Sequence, residues 1–364
     1  MNNRPENSPS VVPLRFEPSF EQIPDDEAET SKELAQALHD IMETTFNNNG
    51  HANRSVHAKA HGLLRGRVTV PDLPPNLAQG AFAQPGVFSA YLRFSTNPGD
   101  ILDDKVSTPR GLALKIVGIE GPRLPGSEGE VTQDFVMQNA KAFTAATPKA
   151  FLKTLKLLAK TTDKAPGMKK VLSAVLRGVE STVEALGGES GTLKSLGGHP
   201  QTHILGESFT TVVPVLYGPF YAKVAVVPVS PSLCVLTDRP IDLSDDPDGL
   251  RTAVAEYLRE EGGSWEIRIQ LATDIERMPI EDASVQWPEE LSPYVTVARL
   301  DVAPQASWDE AKVDEIDDGM AFSPWHGLAA HRPLGGVMRV RKPSYEMSAD
   351  FRASHNGCPI HEPR

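Results

Sequence analysis

Cysteine is almost missing from this chain: Cys234 and Cys358 are the two among 364 residues, too few for a secreted domain stapled by disulfides. No stretch of about 18 consecutive apolar residues could carry a helix across a bilayer, and the N-terminal MNNRPENSPSVVPLRFEPSF holds no apolar signal core. Positive charge is also scarce. The 36 Lys and Arg against 48 Asp and Glu leave a formal charge of -12, which sets aside nucleic acid and anionic membranes as main partners, because counter-ion release rewards basic surfaces. The expectation is a cytoplasmic protein in a reducing compartment, with no stable membrane insertion. Aromatics make up 6% of the chain, whereas proline is plentiful at 31 residues, which points to many loops and a chain that wraps around something. With 40% apolar residues it can bury one large core or two ordinary ones.

In chain order, 1–24 is a polar, Pro-rich arm, 25–355 is the folded unit and 356–364 is a tail. Leu34, Leu38, Ile41, Met42 and Phe46 predict a helix over 26–47, behind an acidic first turn. A loop carrying His57 and His61 then feeds a strand over 64–70. The two histidines could pair on zinc, but no Glu lies between them and metal chelation is discounted. Alternation predicts further strands over 87–95, 111–117 and 134–139, and later over 208–216, 220–227 and 265–272, with a helix over 248–260 between the last two. Residues 149–186 predict two helices broken near Pro166-Gly167. They hold the one basic region (Lys149, Lys153, Lys156, Lys160, Lys164, Lys169 and Lys170), read as a solvated face ahead of a membrane contact. The class is α+β: an antiparallel sheet or β-barrel core with surrounding helices.

The segment Arg341-Lys-Pro-Ser-Tyr345 through Arg352 carries two arginines and a tyrosine at spacings that share one helical stripe. A phenolate at neutral pH needs an arginine beside it and a metal to bind, and haem iron is a metal that accepts tyrosinate. The plainer alternative is a packed aromatic with solvated charges, and Pro343 limits the helix ahead of Tyr345. Thiolate ligation is a further option. Cys234, in an apolar run, is expected to be packed, while Cys358 could chelate metal with His355 and His361, although a frayed tail is the safer expectation.

Several separated segments resemble the haem catalases. Arg54-Ser-Val-His57-Ala-Lys is similar to their distal-histidine motif, Leu92-Arg93-Phe-Ser95-Thr to their Arg-Phe-Ser-Thr strand, and Thr108-Pro109-Arg110-Gly111 to the Pro-Arg-Gly that follows. Gln133–Asn139 resembles the segment with the distal asparagine; Val285-Gln-Trp287-Pro288, 297–302 and Met320-Ala-Phe-Ser-Pro324 resemble the approach to the proximal helix, where Arg341, Tyr345 and Arg352 match. The resemblance covers roughly 45–355, and most closely suggests the small catalase-related peroxidases.

That resemblance implies haem b as cofactor and Tyr345 as axial ligand to its iron. It implies that His57 moves a proton between the two peroxide oxygens, that Ser95 orients its ring and that Asn139 donates to the peroxide. Arg54, Arg93 and Arg352 would hold haem propionates, Arg341 would stand beside the phenol, and Phe94 and Phe143 would be wall residues or ordinary core. Asn97 departs from the family, which has an apolar channel residue there, and the family's C-terminal helical domain is missing, so no nicotinamide nucleotide is expected. The activity implied is decomposition of hydrogen peroxide or reduction of an organic hydroperoxide, in defence against oxidative stress. The alternatives are a fatty-acid hydroperoxide isomerase and a barrel binding haem or lipid without turnover. The Pro-rich arm suggests subunit contacts, hence a homo-oligomer.

Overall fold

Alternating β-branched and aliphatic stretches need a partner on both sides, and the chain supplies it by closing a ring of strands. The computed structural model describes residues 12–159 and 199–364. Its strands are β1 (Ala60–Val70), β2 (Gly86–Thr96), β3 (Arg110–Val117), β4 (Thr132–Gln138), β5 (Phe209–Thr210), β6 (Val215–Tyr217), β7 (Phe220–Pro228), β8 (Gly263–Leu271) and β9 (Val295–Val302). All pairings are antiparallel, in the order β5-β4-β3-β2-β1-β9-β8-β7-β6, and a β5–β7 pairing closes eight of them into a barrel with β6 as an added hairpin strand. Closure leaves no long open edge.

Leu64, Leu92, Phe94, Leu114, Phe209 and Trp265 belong to the barrel's core. Phe94 is therefore a core aromatic, packed edge-on against Phe209 at 5.7 Å, and it lines no cleft. β3 is buried at seven of its eight positions. It is covered on its outer face as well, which erases the alternation a half-exposed strand would show.

Two expectations change here. The single strand over 208–216 is two short ones, because Val212 takes a left-handed backbone (φ 53°) ahead of Pro214 and breaks the extended run. Residues 295–302 form β9, bridging β8 and β1, although no strand was expected there.

Outside the barrel lie α1 (Glu27–Asn49), α2 (Pro148–Ala159), α3 (Gly249–Glu260) and α4 (Lys342–Asn356). Leu34, Leu38 and Ile41 of α1 pack with Leu152 and Leu155 of α2 and with Val340. Lys149 pairs with Asp26 and Lys156 with Glu33 (2.5 Å), so this part of the basic region faces the acidic helix α1. The rest of that region and the second expected helix lie outside the described residues. Among the described residues no helix is long and apolar enough to cross a membrane.

Both ends of the described chain are tied to the barrel. Leu14 N–H donates to Ala272 O (2.7 Å) and Phe16 N–H to Pro219 O (2.9 Å). The tail expected to fray is anchored instead, because Glu362 reaches the fully buried Lys115 (2.6 Å), itself paired with the buried Asp134 (2.7 Å). Cys234, expected to be packed, is exposed at the end of the short helix Pro231–Cys234. Cys358 is a free thiol, and no group of three metal-capable side chains forms among the described residues.

Candidate active site

A cleft opens between the outer face of the barrel and α4, lined by His57, Val136, Phe322, Tyr345 and others.

His57 sits on the loop between α1 and β1, in a left-handed backbone (φ 55°) that a β-carbon-bearing residue adopts only when its surroundings enforce it. Those surroundings are specific. Its N–H donates to Asn97 O (2.8 Å), Arg93 Nη1 donates to its carbonyl (2.8 Å), and Arg93 Nη2 donates to Ala58 O (3.0 Å). The imidazole Nδ1 lies 3.1 Å from Ser95 Oγ, one turn of the pleat from Arg93 on β2. The Nδ1–Cε1 edge of the ring lies against Gly111 of β3, where an added Cβ would come within 2.5 Å of Nδ1 and Cε1. Burial, then the charges of Arg93, Arg341 and Arg54, pull its pKa down to about 3, so this imidazole stays neutral and able to accept a proton.

Across the cleft, α4 begins at Lys342 with Pro343 in its first turn, where the missing N–H costs nothing, so the proline does not stop the helix. Arg341 at its N-cap reaches four residues on: Nη2 donates to Tyr345 Oη at 2.7 Å. Burial raises the phenol's pKa and the Arg341 charge opposes that rise. Phe143 does not line the cleft. It packs edge-on against Phe151 (5.0 Å), with the Arg341 guanidinium 5.9 Å from its ring, so it backs the arginine.

A third group of residues closes one end. Arg54, Arg93 and Arg352, from the distal loop, β2 and α4, converge on Asp317, the penultimate residue of a π-helical turn over Val313–Asp318. Arg54 Nη1 and Arg93 Nε (2.8 Å) both donate to Asp317 Oδ1, while Arg352 donates to the backbone oxygens of Asp317 (2.8 Å) and Met320 (3.0 Å). The three guanidinium charges hold the Asp317 carboxyl well below the usual carboxylate range despite its burial. Arg352 Nε is buried with no hydrogen-bond partner among the described residues.

The structure does not bring Asn139 to the cleft. Its Oδ1 accepts from Arg110 N–H (2.8 Å), and its Nδ2 faces His199 Nε2 (2.6 Å) and donates to Glu207 (2.5 Å), a separate buried network. Nor do the two histidines of the loop pair. His61 is fully buried at a bulge in β1, with Nε2 3.1 Å from Thr96 Oγ1. Asp317 was not singled out from the sequence. Its one signal there is an acidic run, Asp314 to Asp318, just before Met320-Ala-Phe-Ser-Pro324.

These residues fit a haem. Three guanidinium groups against the carboxylate of Asp317, with Asp318 acting on Arg352 from nearby and an orphaned donor on Arg352, leave a net positive charge for an anionic ligand. Tyr345, held by Arg341, and His57, held by Ser95, line the same cleft.

No family model matches the chain, and no curated protein matches it by sequence. Solved structures do resemble it. A fungal catalase aligns with a TM-score of 0.60 and 18% identity over 88% of this chain, which spans 65% of that catalase's length. Catalase A from Saccharomyces cerevisiae gives 0.55 and 17% over 95% of this chain and 68% of its own. A bacterial catalase gives 0.57 and 14% over 98% and 67%. What the chain shares with these proteins is their fold, an antiparallel β-barrel with surrounding helices of the catalase kind.

Proposed function

We propose that this protein is a haem-dependent hydroperoxidase. The observation that carries the reading is the pairing, in one cleft, of an arginine-held phenol (2.7 Å) with a serine-held imidazole (3.1 Å). Bound haem would supply an iron that takes up the oxidising equivalents of a peroxide. Tyr345 would be its ligand, with the adjacent Arg341 guanidinium favouring the ionised phenol against its burial, and Arg54, Arg93 and Arg352 would hold its carboxylates.

The chain's own contribution to turnover is proton management. Neutral His57 takes the proton of the near peroxide oxygen and gives it to the far one, so that the O–O bond breaks with water or an alcohol leaving. Ser95 fixes the ring's tilt, Gly111 sets its depth, and Arg93 holds the loop that carries it. With a second hydrogen peroxide as reductant the reaction balances as ROOH + H2O2 → ROH + H2O + O2, where R is hydrogen or an organic group.

An absorption spectrum with and without peroxide, beside oxygen release, tests the reading. The protein should carry haem; His57→Ala should keep the spectrum and lose turnover by about 10²-fold or more, and Tyr345→Phe should lose haem or change its ligation. Full turnover in His57→Ala, or no uptake of haem at all, would sink the proposal.

A further inference from the structure

Among the described residues Asp317 is the one side-chain carboxylate that Arg54 and Arg93 hydrogen-bond, and a single oxygen, Oδ1, takes a donor from each. It occupies the donors that a cofactor carboxylate would need. We infer that Asp317 is a built-in competing counter-ion: it keeps the guanidinium groups of Arg54 and Arg93 charge-satisfied and in place, and it weakens by direct competition their hold on the carboxylates of an incoming porphyrin.

The inference rests on the haem reading and adds a residue that sets how tightly the cofactor is held. Three features carry it. The first is geometry: Asp317 is the penultimate residue of a π-helical turn, a local widening of the helix at whose end it meets the arginines. The second is charge. Three guanidiniums against Asp317, with the Asp318 charge also acting on Arg352, leave a net positive charge for an incoming carboxylate, whereas without Asp317 the cluster would hold three buried cations close together. The third is that the cluster stays in place by other bonds as well: Arg93 donates to His57 O and Ala58 O, Arg54 to Met320 O (3.0 Å), and Arg352 to Asp317 O, Asp318 O and Met320 O. Loss of the Asp317 charge therefore does not by itself release the arginines. The neighbouring Asp318 carboxylate is engaged elsewhere, 3.1 Å from His51 Nε2.

The test is a titration of haem-free protein with three probes: haem, metal-free protoporphyrin IX and haem dimethyl ester, which has no free carboxylates. Asp317→Asn should bind haem and protoporphyrin IX about tenfold or more tighter than the wild type, bind the dimethyl ester with unchanged affinity, and melt at a lower temperature when empty. Asp317→Glu should stay near the wild type. Weaker or equal binding of both dicarboxylates by Asp317→Asn would overturn the inference while leaving the haem reading intact, and so would an equal gain with the ester. A wild type that takes up neither haem nor protoporphyrin IX would overturn both. Should Asp317→Asn not fold, the double variant Arg54→Gln/Asp317→Asn compared with Arg54→Gln makes the same measurement, with a gain expected again and no gain refuting it.

Discussion

Replacing Gly111 by alanine probes the site through a single methyl group. Gly111 lies in β3, opposite Ser95 of β2 and Gln138 of β4, at a backbone position that alanine can adopt. In an ordinary strand such a change stabilises by about 0.4–1 kcal/mol through the unfolded state. Here the new Cβ would lie 2.5 Å from His57 Cε1 and Nδ1 and 3.2 Å from Ser95 Oγ. To restore ordinary contact at about 3.5 Å the ring must withdraw by about 1 Å. That movement breaks the Nδ1–Ser95 bond, a loss of about 1 kcal/mol, and crowds a packed site at a further cost of about 1–3 kcal/mol. A shift of about 1 Å in a catalytic group lowers rate by about 10²-fold. Gly111→Ala should therefore melt below the wild type and release oxygen from peroxide about 10²-fold more slowly, with its haem absorbance kept, because nothing on the Tyr345 side has changed. Wild-type turnover together with an equal or higher melting temperature would refute the placement of His57 against β3.

Two further outcomes follow from the charges. Because the His57 pKa is held down to about 3, far below the ordinary 6.5, the folded state binds fewer protons than the unfolded chain between those values. Stability from this group is thus full above pH 6.5 and is lost on acidification through the window, by about 1.4 kcal/mol per pH unit. His57→Gln should flatten the stability profile between pH 6 and 4 by about that slope, and wild-type turnover should show no acid limb near 6.5; a limb centred there would contradict the neutral-imidazole argument. In the C-terminal tail, Glu362→Gln leaves the buried Lys115–Asp134 pair without its third member. Urea unfolding should show a loss of about 1–3 kcal/mol, and an unchanged midpoint would mean that the tail is not an anchor.

Contacts within one element were legible in the sequence because the period of that element fixes them. The Arg341–Tyr345 hydrogen bond follows from a spacing of four on a helix, and Arg93 and Ser95 share a strand face because they are two apart. Most of the strands and three of the four long helices were marked by alternation, helical period and acidic or Pro-rich starts, and the antiparallel β-barrel class followed from their order. The sequence also named, through motifs spread over most of its length, the residue types that the proposed chemistry on peroxide would use.

What the sequence could not decide lies between elements. Asp317 meets Arg54, Arg93 and Arg352 only because a π-helical turn, a loop, a strand and a helix converge, and no spacing along the chain encodes that meeting. Asn139 sits one residue past β4, and packing turned its amide to Arg110, His199 and Glu207 rather than to the cleft. Phe94 went inside the barrel and Phe143 behind Arg341, which composition cannot distinguish from a cavity wall. Barrel closure itself hangs on two residues, Phe209 and Thr210, isolated by the left-handed turn at Val212. Local periodicity determined which side chains could act together along an element, and only the closed barrel, by fixing distances across it, decided which of them do.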